Sequence, residues 1–420
     1  MTPEFQWLEE ETDKQHRPTG RFTQVVPPQG RPPRRLPRFV GVALLFAFSI
    51  FVGASSAIWY MSHRGLNAAR ADIEAVVRTE SRALARGDRE LYQSLQDTEP
   101  AQGSWDFFAR MQNEASLRAA DQVDAEQPLR ITHLELLEDR AWVEVAFTRA
   151  GEPYRRMQFY RLVEGRWRRT LPDVRFWGEA RTRKTGHLLF LYHEREENLV
   201  NALAMWAEVA YSQILRDLGA QPWPTPIVLE FRTEEDGRTI DMRAGRFGLP
   251  SPFLSGYRAD ERLDDTLRYA VAYNLALASA VSRAGLTQRL RMDTSWLMLN
   301  AIVEWEVAKI GPGGGLSEPG AIEERIRQAM REDQLLPLTA LWPPYRFLRS
   351  DGDFNLALVE ARTLLEYAVE KAGPEVIPSF LLSLGQGQPM SRTVENVFGV
   401  DAERLEADWL QWLRARYGAS

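Results

Sequence analysis

Two tyrosines four residues apart occupy the segment of this chain whose spacing is best suited to chemistry. Tyr269 and Tyr273 lie in TLRYAVAYNLALASA, where apolar residues recur every three or four positions. Side chains at i and i+4 of a helix share one face, so both phenols could reach a common centre. A phenol ionises only at about pH 10 and is a poor zinc ligand. Ala270, beside them, cannot act as a general base.

The elements around this helix resemble those of a known family. Strand, long helix, strand, glycine-rich loop and helix are followed by SWLMLNAIVEWEVAKIG, an order that resembles the peptidase-MA-like domains, a gluzincin group of zinc peptidases. Their HExxH signature places two histidines on one helix face, with a glutamate that activates the zinc-bound water. LRYAVAY fits that frame with Tyr269 and Tyr273 at the histidine positions and Ala270 at the glutamate position.

The third zinc ligand of that family is a glutamate on the following helix. WLMLNAIVEWE fits this second signature with one extra residue, and Asn300 or Leu299 takes the ligand position. Glu304 and Trp305 match the Glu-Trp pair that follows it. Closing helices with FGV and paired tryptophans extend the resemblance over residues 187–416. The resemblance implies a zincin-like domain with a degenerate zinc motif, without catalytic residues, metal or cofactor.

Residues that could replace the missing ligands are scarce. The chain has five histidines and no cysteine, and no histidine follows His193. Thiolate metal sites, disulfides and cysteine nucleophiles are therefore excluded. His187 and His193 flank a short predicted strand well before the tyrosine helix, so we do not expect zinc hydrolysis. The net charge of −6 argues against nucleic acid as a partner.

Other groups that could do chemistry have simpler interpretations. The pairs Glu304/Glu306 and Asp264/Asp265 do not face each other on a helix, and the aspartates suit a helix start. GPGGG, 311–315, lacks the lysine and the serine or threonine of a phosphate loop and is interpreted as a linker or a helix stop.

Aromatic residues are the remaining candidates for binding. Trp342 and Tyr345 in LWPPYRFL could line a groove for an extended chain, or they could belong to the core. Together with Glu304 and Trp305 they are the candidate cleft-binding residues.

A long uncharged stretch near the start predicts a membrane anchor. Residues 39–61, FVGVALLFAFSIFVGASSAIWYM, carry no charge, and a helix of that length spans a bilayer core of roughly 30 Å. Arginines crowd the N-terminal side in RPPRRLPR, so that side is predicted to be cytoplasmic and the rest extracytoplasmic. The proline-rich residues 1–38 are predicted to be disordered. A cleaved signal peptide is the alternative.

The segment after the anchor predicts helices followed by an antiparallel sheet. Leu66–Arg86 reads as an amphipathic helix, followed by RELYQSLQ and WDFFARMQ as short helices and four alternating segments as strands. This pattern resembles the nuclear-transport-factor-like (SnoaL-like) cone fold over residues 66–178. The family often has a pocket, which His133, Asp139 and Trp142 could line; alternatively they are residues of the sheet faces without a ligand.

The sequence thus predicts an α+β chain: a tail, one membrane helix, a cone-like domain, and a mostly helical zincin-like domain with a small sheet. A glycine- and proline-rich loop is predicted at 236–258. The expected function is that of a single-pass pseudopeptidase of a bacterial cell membrane that binds a peptide or envelope protein. A hydrolase with an unrecognised site and a purely structural envelope scaffold are the alternatives.

Overall fold

The computed structural model describes residues 38–97, 129–149, 151–233, 239–286, 292–310, 320–342 and 351–418. Residue contacts divide the chain into two units, Met1–Gly65 and Leu66–Ser420. The secondary structure is α+β, as the alternation of helical and strand periods in the sequence predicts.

The first helix, α1, runs from Arg38 to Arg86 and includes the predicted membrane stretch. Side chains of that stretch are described at residues 48–52, where the apolar ones are exposed: Phe48, Ile50, Phe51 and Val52. Among the helices of the described residues, none combines the length and the apolarity that crossing a membrane requires. The predicted disordered tail, apart from Arg38, lies outside the described residues.

The second unit begins within α1, and the short helix α2 (Arg89–Ser94) then precedes the first sheet. The first four of its five strands pair antiparallel in chain order: β1 Arg130–Leu137, β2 Arg140–Arg149, β3 Glu152–Val163 and β4 Arg166–Arg169. These strands and α2 confirm the predicted meander and the first short helix. The second predicted short helix, WDFFARMQ, lies outside the described residues.

The two faces of this sheet bury different partners because successive side chains of a strand point in opposite directions. Toward α1, Val143, Val145 and Tyr160 pack with Ile73 and Val77. The other face carries an aromatic cluster that includes residues of the short helix α3 (Val174–Trp177): Trp142, Phe159, Phe176 and Trp177.

A mixed second sheet follows, with strand order β5-β6-β7-β9-β8. Its strands are β5 Ala180–Lys184, β6 Leu188–His193, β7 Ile227–Arg232, β8 Thr239–Asp241 and β9 Arg246–Pro250. A 3-10 turn, Glu194–Glu196, leads from β6 into the long helix α4, Glu197–Asp217. The strands β6, β7 and β9 are parallel, and each edge strand is antiparallel to its neighbour.

The prediction of a loop at 236–258 is wrong for residues 239–258. Besides β8 and β9, this segment forms the short helix α5, Pro252–Ser255, and strand β10, Tyr257–Arg258. Strand β10 pairs with β3 of the first sheet, and the Tyr257 hydroxyl donates to Glu144 Oε1 at 2.7 Å. The chain therefore returns to the first sheet directly before the tyrosine helix.

Seven helices complete the unit. They are α6 Leu263–Arg283, α7 Met292–Ile310, α8 Ala321–Arg331, α9 Asp351–Ala372, α10 Val376–Gly385, α11 Met390–Phe398 and α12 Ala402–Tyr417. Helix α6 packs between α4 and α7, and α9 packs on the α7 side. One apolar core joins these helices to β6, β7 and β9. Leu66–Ser420 is one unit by contacts, so the predicted borders at 178 and 187 stay predictions.

Candidate ligand-binding site

Helix α6 places the two tyrosines on one face, and its start is fixed by charge. Asp264 lies in the first turn, where the helix dipole favours negative charge. Burial raises the pKa of Asp264, but hydrogen bonds from Arg262 and Arg268 outweigh that effect and hold the pKa below its usual value. The aspartate therefore remains ionised and anchors the helix rather than serving as a catalytic acid.

The two tyrosines each bond to a polar side chain of α7. The Tyr269 hydroxyl donates to Oε1 of Glu304 at 2.5 Å, and the Tyr273 hydroxyl donates to Oδ1 of Asn300. Asn300 and Glu304 are themselves four residues apart, so each helix contributes residues at i and i+4. The structure thus brings together four of the residues that the sequence places in one degenerate motif.

Glu304 is the buried charge-bearing group of this set. Burial raises the pKa of its carboxyl, against the lowering effects of the Tyr269 hydroxyl and of the positive charge of Arg362 on α9. Its second oxygen, Oε2, has no hydrogen-bond partner among the described residues. The hydrogen bond from Tyr269 holds this buried carboxyl between α6 and α7.

The side-chain amides of Asn300 and Asn274 also form hydrogen bonds. Asn300 Nδ2 donates to the Trp296 carbonyl at 2.7 Å, which leaves its oxygen for Tyr273. Asn274 Nδ2 donates to the Ala270 carbonyl at 2.8 Å. Each amide is bonded to the residue one turn earlier on its own helix, so the orientation of the Asn300 side chain is fixed from its own backbone.

Part of this face reaches solvent. Tyr269, Ala270 and Tyr273 are half-buried, and we name this surface of α6 the tyrosine face. The tyrosine rings lie 6.2 Å apart between centroids. Nearby on α6, the Arg268 guanidinium lies 5.4 Å from the ring centroid of Trp206 on α4. The face therefore presents aromatic surface, and the nearby Arg268 guanidinium is already paired with Asp264 at 2.9 Å and Asp265 at 3.1 Å.

The described residues contain no cluster of three or more metal-ligating side chains. His187 bonds through Nδ1 to Oε1 of Glu208 at 2.5 Å, while His193 lies at the other end of β6, with its ring 6.1 Å from that of Trp177. These contacts do not place the imidazole of His187 or of His193 at the tyrosine face. A catalytic zinc needs three protein ligands, and phenol, methyl and amide groups at these positions do not supply them.

The candidate cleft residues do not all converge. Trp305 is half-buried and lies beneath Lys309, whose Nζ is 3.4 Å from the ring centroid. Trp342 packs edge-on against Phe380 of α10 with centroids 5.4 Å apart, so its ring belongs largely to the core. Tyr345 lies outside the described residues. Of the four, Glu304 is the one bonded to the tyrosine face.

Glu306, the second candidate carboxylate on α7, has different partners from Glu304. Glu306 is fully buried and accepts from Lys309 Nζ at 2.8 Å, and Lys309 also reaches Asp217 Oδ2 of α4 at 3.2 Å. Burial raises the pKa of Glu306 to about 7. Glu304 and Glu306 thus serve separate contacts, as expected for residues two apart on a helix.

The residues proposed for a pocket in the first sheet are dispersed. Trp142 packs edge-on against Phe176 at 5.3 Å, on the sheet face opposite α1. His133 and Asp139 are exposed. This arrangement agrees with the alternative in which they are residues of the sheet faces.

Sequence reasoning missed Arg362, Trp206 and Arg268. Arg362 lies in FNLALVEARTLLEY, and a buried arginine in so apolar a helix is the signal that could have marked it. The contact between Arg268 and Trp206 joins two helices far apart in sequence, and no local pattern encodes it.

Comparison of the chain with protein-family models, with curated proteins and with solved structures found no significant match in any of the three.

Proposed function

We propose that this chain is a membrane-anchored, extracytoplasmic pseudopeptidase that binds a peptide or an envelope protein at the tyrosine face. The pairing of Tyr269 with Glu304 and of Tyr273 with Asn300 carries the proposal. Of these residues, Tyr269, Tyr273 and Asn300 stand at zinc-ligand positions of the family that the sequence resembles, and here their side chains are engaged in hydrogen bonds. A metal-dependent reaction would need these groups free and of a different type.

Binding without catalysis is favoured by the composition of the face. Half-buried aromatic rings offer apolar area for a peptide chain, and their hydroxyls are already fixed by buried acceptors. A site whose side chains are held in place costs little ordering free energy on binding.

The anchor is proposed from the sequence. The 23 uncharged residues at 39–61 have the length of a membrane span, and the basic cluster before them places the tail in the cytoplasm. The apolar side chains described within that stretch are exposed, which suits a lipid environment. The single-pass topology would put the cone-like and zincin-like parts outside the cytoplasm.

Peptide selection against the full-length protein in detergent tests this function. Peptides selected by display should bind the natural chain and lose at least about tenfold in affinity (1.4 kcal/mol) when Ala270→Arg places a long side chain on the tyrosine face. Ala415→Arg, at an exposed position of α12, is the matched control and should bind normally. Equal binding by both variants would exclude the tyrosine face.

The same peptides separate the alternatives. Cleavage of a bound peptide, seen by mass spectrometry, would favour a hydrolase with an unrecognised site. Failure to select any peptide, with the fold intact by circular dichroism, would favour a structural scaffold.

A further inference from the structure

The outer face of α4 carries apolar side chains that nothing in the described residues covers. Met205 and Val209 are four residues apart and are 63% and 64% exposed. Trp206 lies half-buried beside them. A helix packed on a sheet normally turns polar residues outward, so adjacent exposed apolar side chains mark a contact surface.

Positively charged side chains lie at both ends of the exposed apolar surface formed by Met205 and Val209. At one end, Arg183 of the edge strand β5 donates from Nη1 to Asn201 Oδ1, one turn before Met205. At the other end lies Arg216, two turns after Val209 on the same side of the helix. We name the surface formed by Asn201, Met205, Val209 and Arg216, with the adjoining Arg183, the α4 face.

The cations of the α4 face are available to an external anion. Among the described residues, Arg183 and Arg216 form no salt bridge. Their neighbour Arg181 differs, because it pairs with Glu179 at 3.1 Å and Glu194 at 3.6 Å.

Few acidic side chains lie near the α4 face, and one of them, Glu208, is already hydrogen-bonded. Glu208 accepts from the Thr185 hydroxyl at 2.6 Å and from His187, so its charge is already compensated by hydrogen bonds. Glu197, at the start of α4, is the exposed acid at this end. The α4 face is thus locally basic in a chain whose net charge is −6.

We propose that the α4 face docks onto a bilayer that contains anionic lipids. Met205 and Val209 would enter the boundary of the head groups, and Arg183 and Arg216 would meet lipid phosphates. The inference rests on the proposed membrane anchor, which keeps the unit close to lipid and raises the effective concentration of a weak contact. The acidic net charge disfavours general adsorption, so the basic rim and apolar centre select this surface.

Site-directed fluorescence in nanodiscs tests the docking with the full-length chain. The protein has no cysteine, so single cysteines can be labelled one at a time. Dyes at Met205→Cys and Val209→Cys report on the face, Phe51→Cys reports on the predicted span, and Ala415→Cys on exposed α12 is the control. The discs carry a quencher attached to the lipid.

The expected result is quenching at 205 and 209 that is severalfold stronger in discs with phosphatidylglycerol than in discs of phosphatidylcholine alone. The dye at 415 should stay bright in both. Arg183→Gln/Arg216→Gln should abolish the dependence on lipid charge. The matched double variant Lys371→Gln/Arg414→Gln, at exposed sites elsewhere, removes the same charge and should leave the dependence intact.

Dyes at 205 and 209 that stay unquenched while the dye at 51 is quenched would overturn the docking and leave the anchor standing. Dyes shielded from aqueous iodide but not quenched by lipid would show that a second copy or another protein covers the face, which also overturns it. An unquenched dye at 51 would refute the anchor, and the docking would then be decided by 205 and 209 alone.

Discussion

The phenolic oxygen of Tyr269 lies 2.5 Å from Oε1 of the buried Glu304, joining α6 to α7. Four residues along each helix, Tyr273 and Asn300 form the parallel pair. Two hydroxyl donors and two acceptors therefore match across the helix interface.

Removing one of these hydroxyls should destabilise the fold. Tyr269→Phe deletes a bond to a buried carboxyl and should lower the free energy of unfolding by about 1–3 kcal/mol. Urea denaturation of the variant and of the natural chain measures this difference. Val174→Ala, at an exposed apolar position, is a control that should change little. A Tyr269→Phe variant as stable as the natural chain would show that the bond contributes nothing.

The pairing also predicts coupling between the residues. In a double-mutant cycle, Tyr269→Phe and Glu304→Gln should show an interaction energy of about 0.5–3 kcal/mol, because both act on one hydrogen bond. Tyr269→Phe with Asn300→Ala should be closer to additive. Equal coupling in both cycles would contradict the separate pairs.

Glu306 predicts a specific dependence of stability on pH. Its pKa is raised by burial from 4.5 to about 7, so its favourable contribution is complete below the unfolded value and is lost as the pH rises through 7. Glu306→Gln should therefore gain stability relative to the natural chain between about pH 5 and pH 8, by up to roughly 3 kcal/mol. Denaturation at several pH values checks the sign. A variant that loses relative stability as the pH rises would show that the Lys309 salt bridge dominates.

The buried Glu360 on α9 predicts a second dependence of stability on pH, over a wider pH range than that of Glu306. It is fully buried, burial raises its pKa to about 8, and both carboxyl oxygens lie 3.1 Å from the Leu336 amide nitrogen. Glu360→Gln keeps an acceptor and should gain relative stability as the pH rises from 4.5 through 8. Glu360→Ala leaves the Leu336 N–H unpaired and should cost about 1–3 kcal/mol even at low pH. Identical pH profiles for the natural chain and Glu360→Gln would refute the raised pKa.

A close contact between α10 and the C-terminal end of α6 gives a further prediction. A Cβ at Gly385 of α10 would overlap the carbonyl of Ala284, which follows α6. Gly385→Ala should cost more than about 2 kcal/mol, whereas Gly387→Ala, with open space and a φ of +66°, should cost about 1 kcal/mol of backbone strain. Thermal unfolding compares the two, and equal costs would contradict the packing of α10 against α6.

Local periodicity was sufficient for much of the fold and for the placement of the tyrosines. The four alternating segments became β1 to β4, and i, i+4 spacing put Tyr269 and Tyr273 on one face. Strand β8 has three residues and β10 has two, too few to show an alternating pattern, and so the segment was mistaken for a loop. The influence of Arg362 on Glu304 is a tertiary contact, and the burial of Trp342 depends on Phe380 of another helix.

The most direct test of the central claim is the zinc content of the purified full-length protein after incubation with zinc and removal of weakly bound ions. The account predicts no stoichiometric zinc in the natural chain. Tyr269→His/Ala270→Glu/Tyr273→His/Asn300→Glu should bind about one zinc ion per chain, because these positions would then carry three protein ligands and a base. Stoichiometric zinc in the natural chain, or a folded variant that binds none, would contradict it.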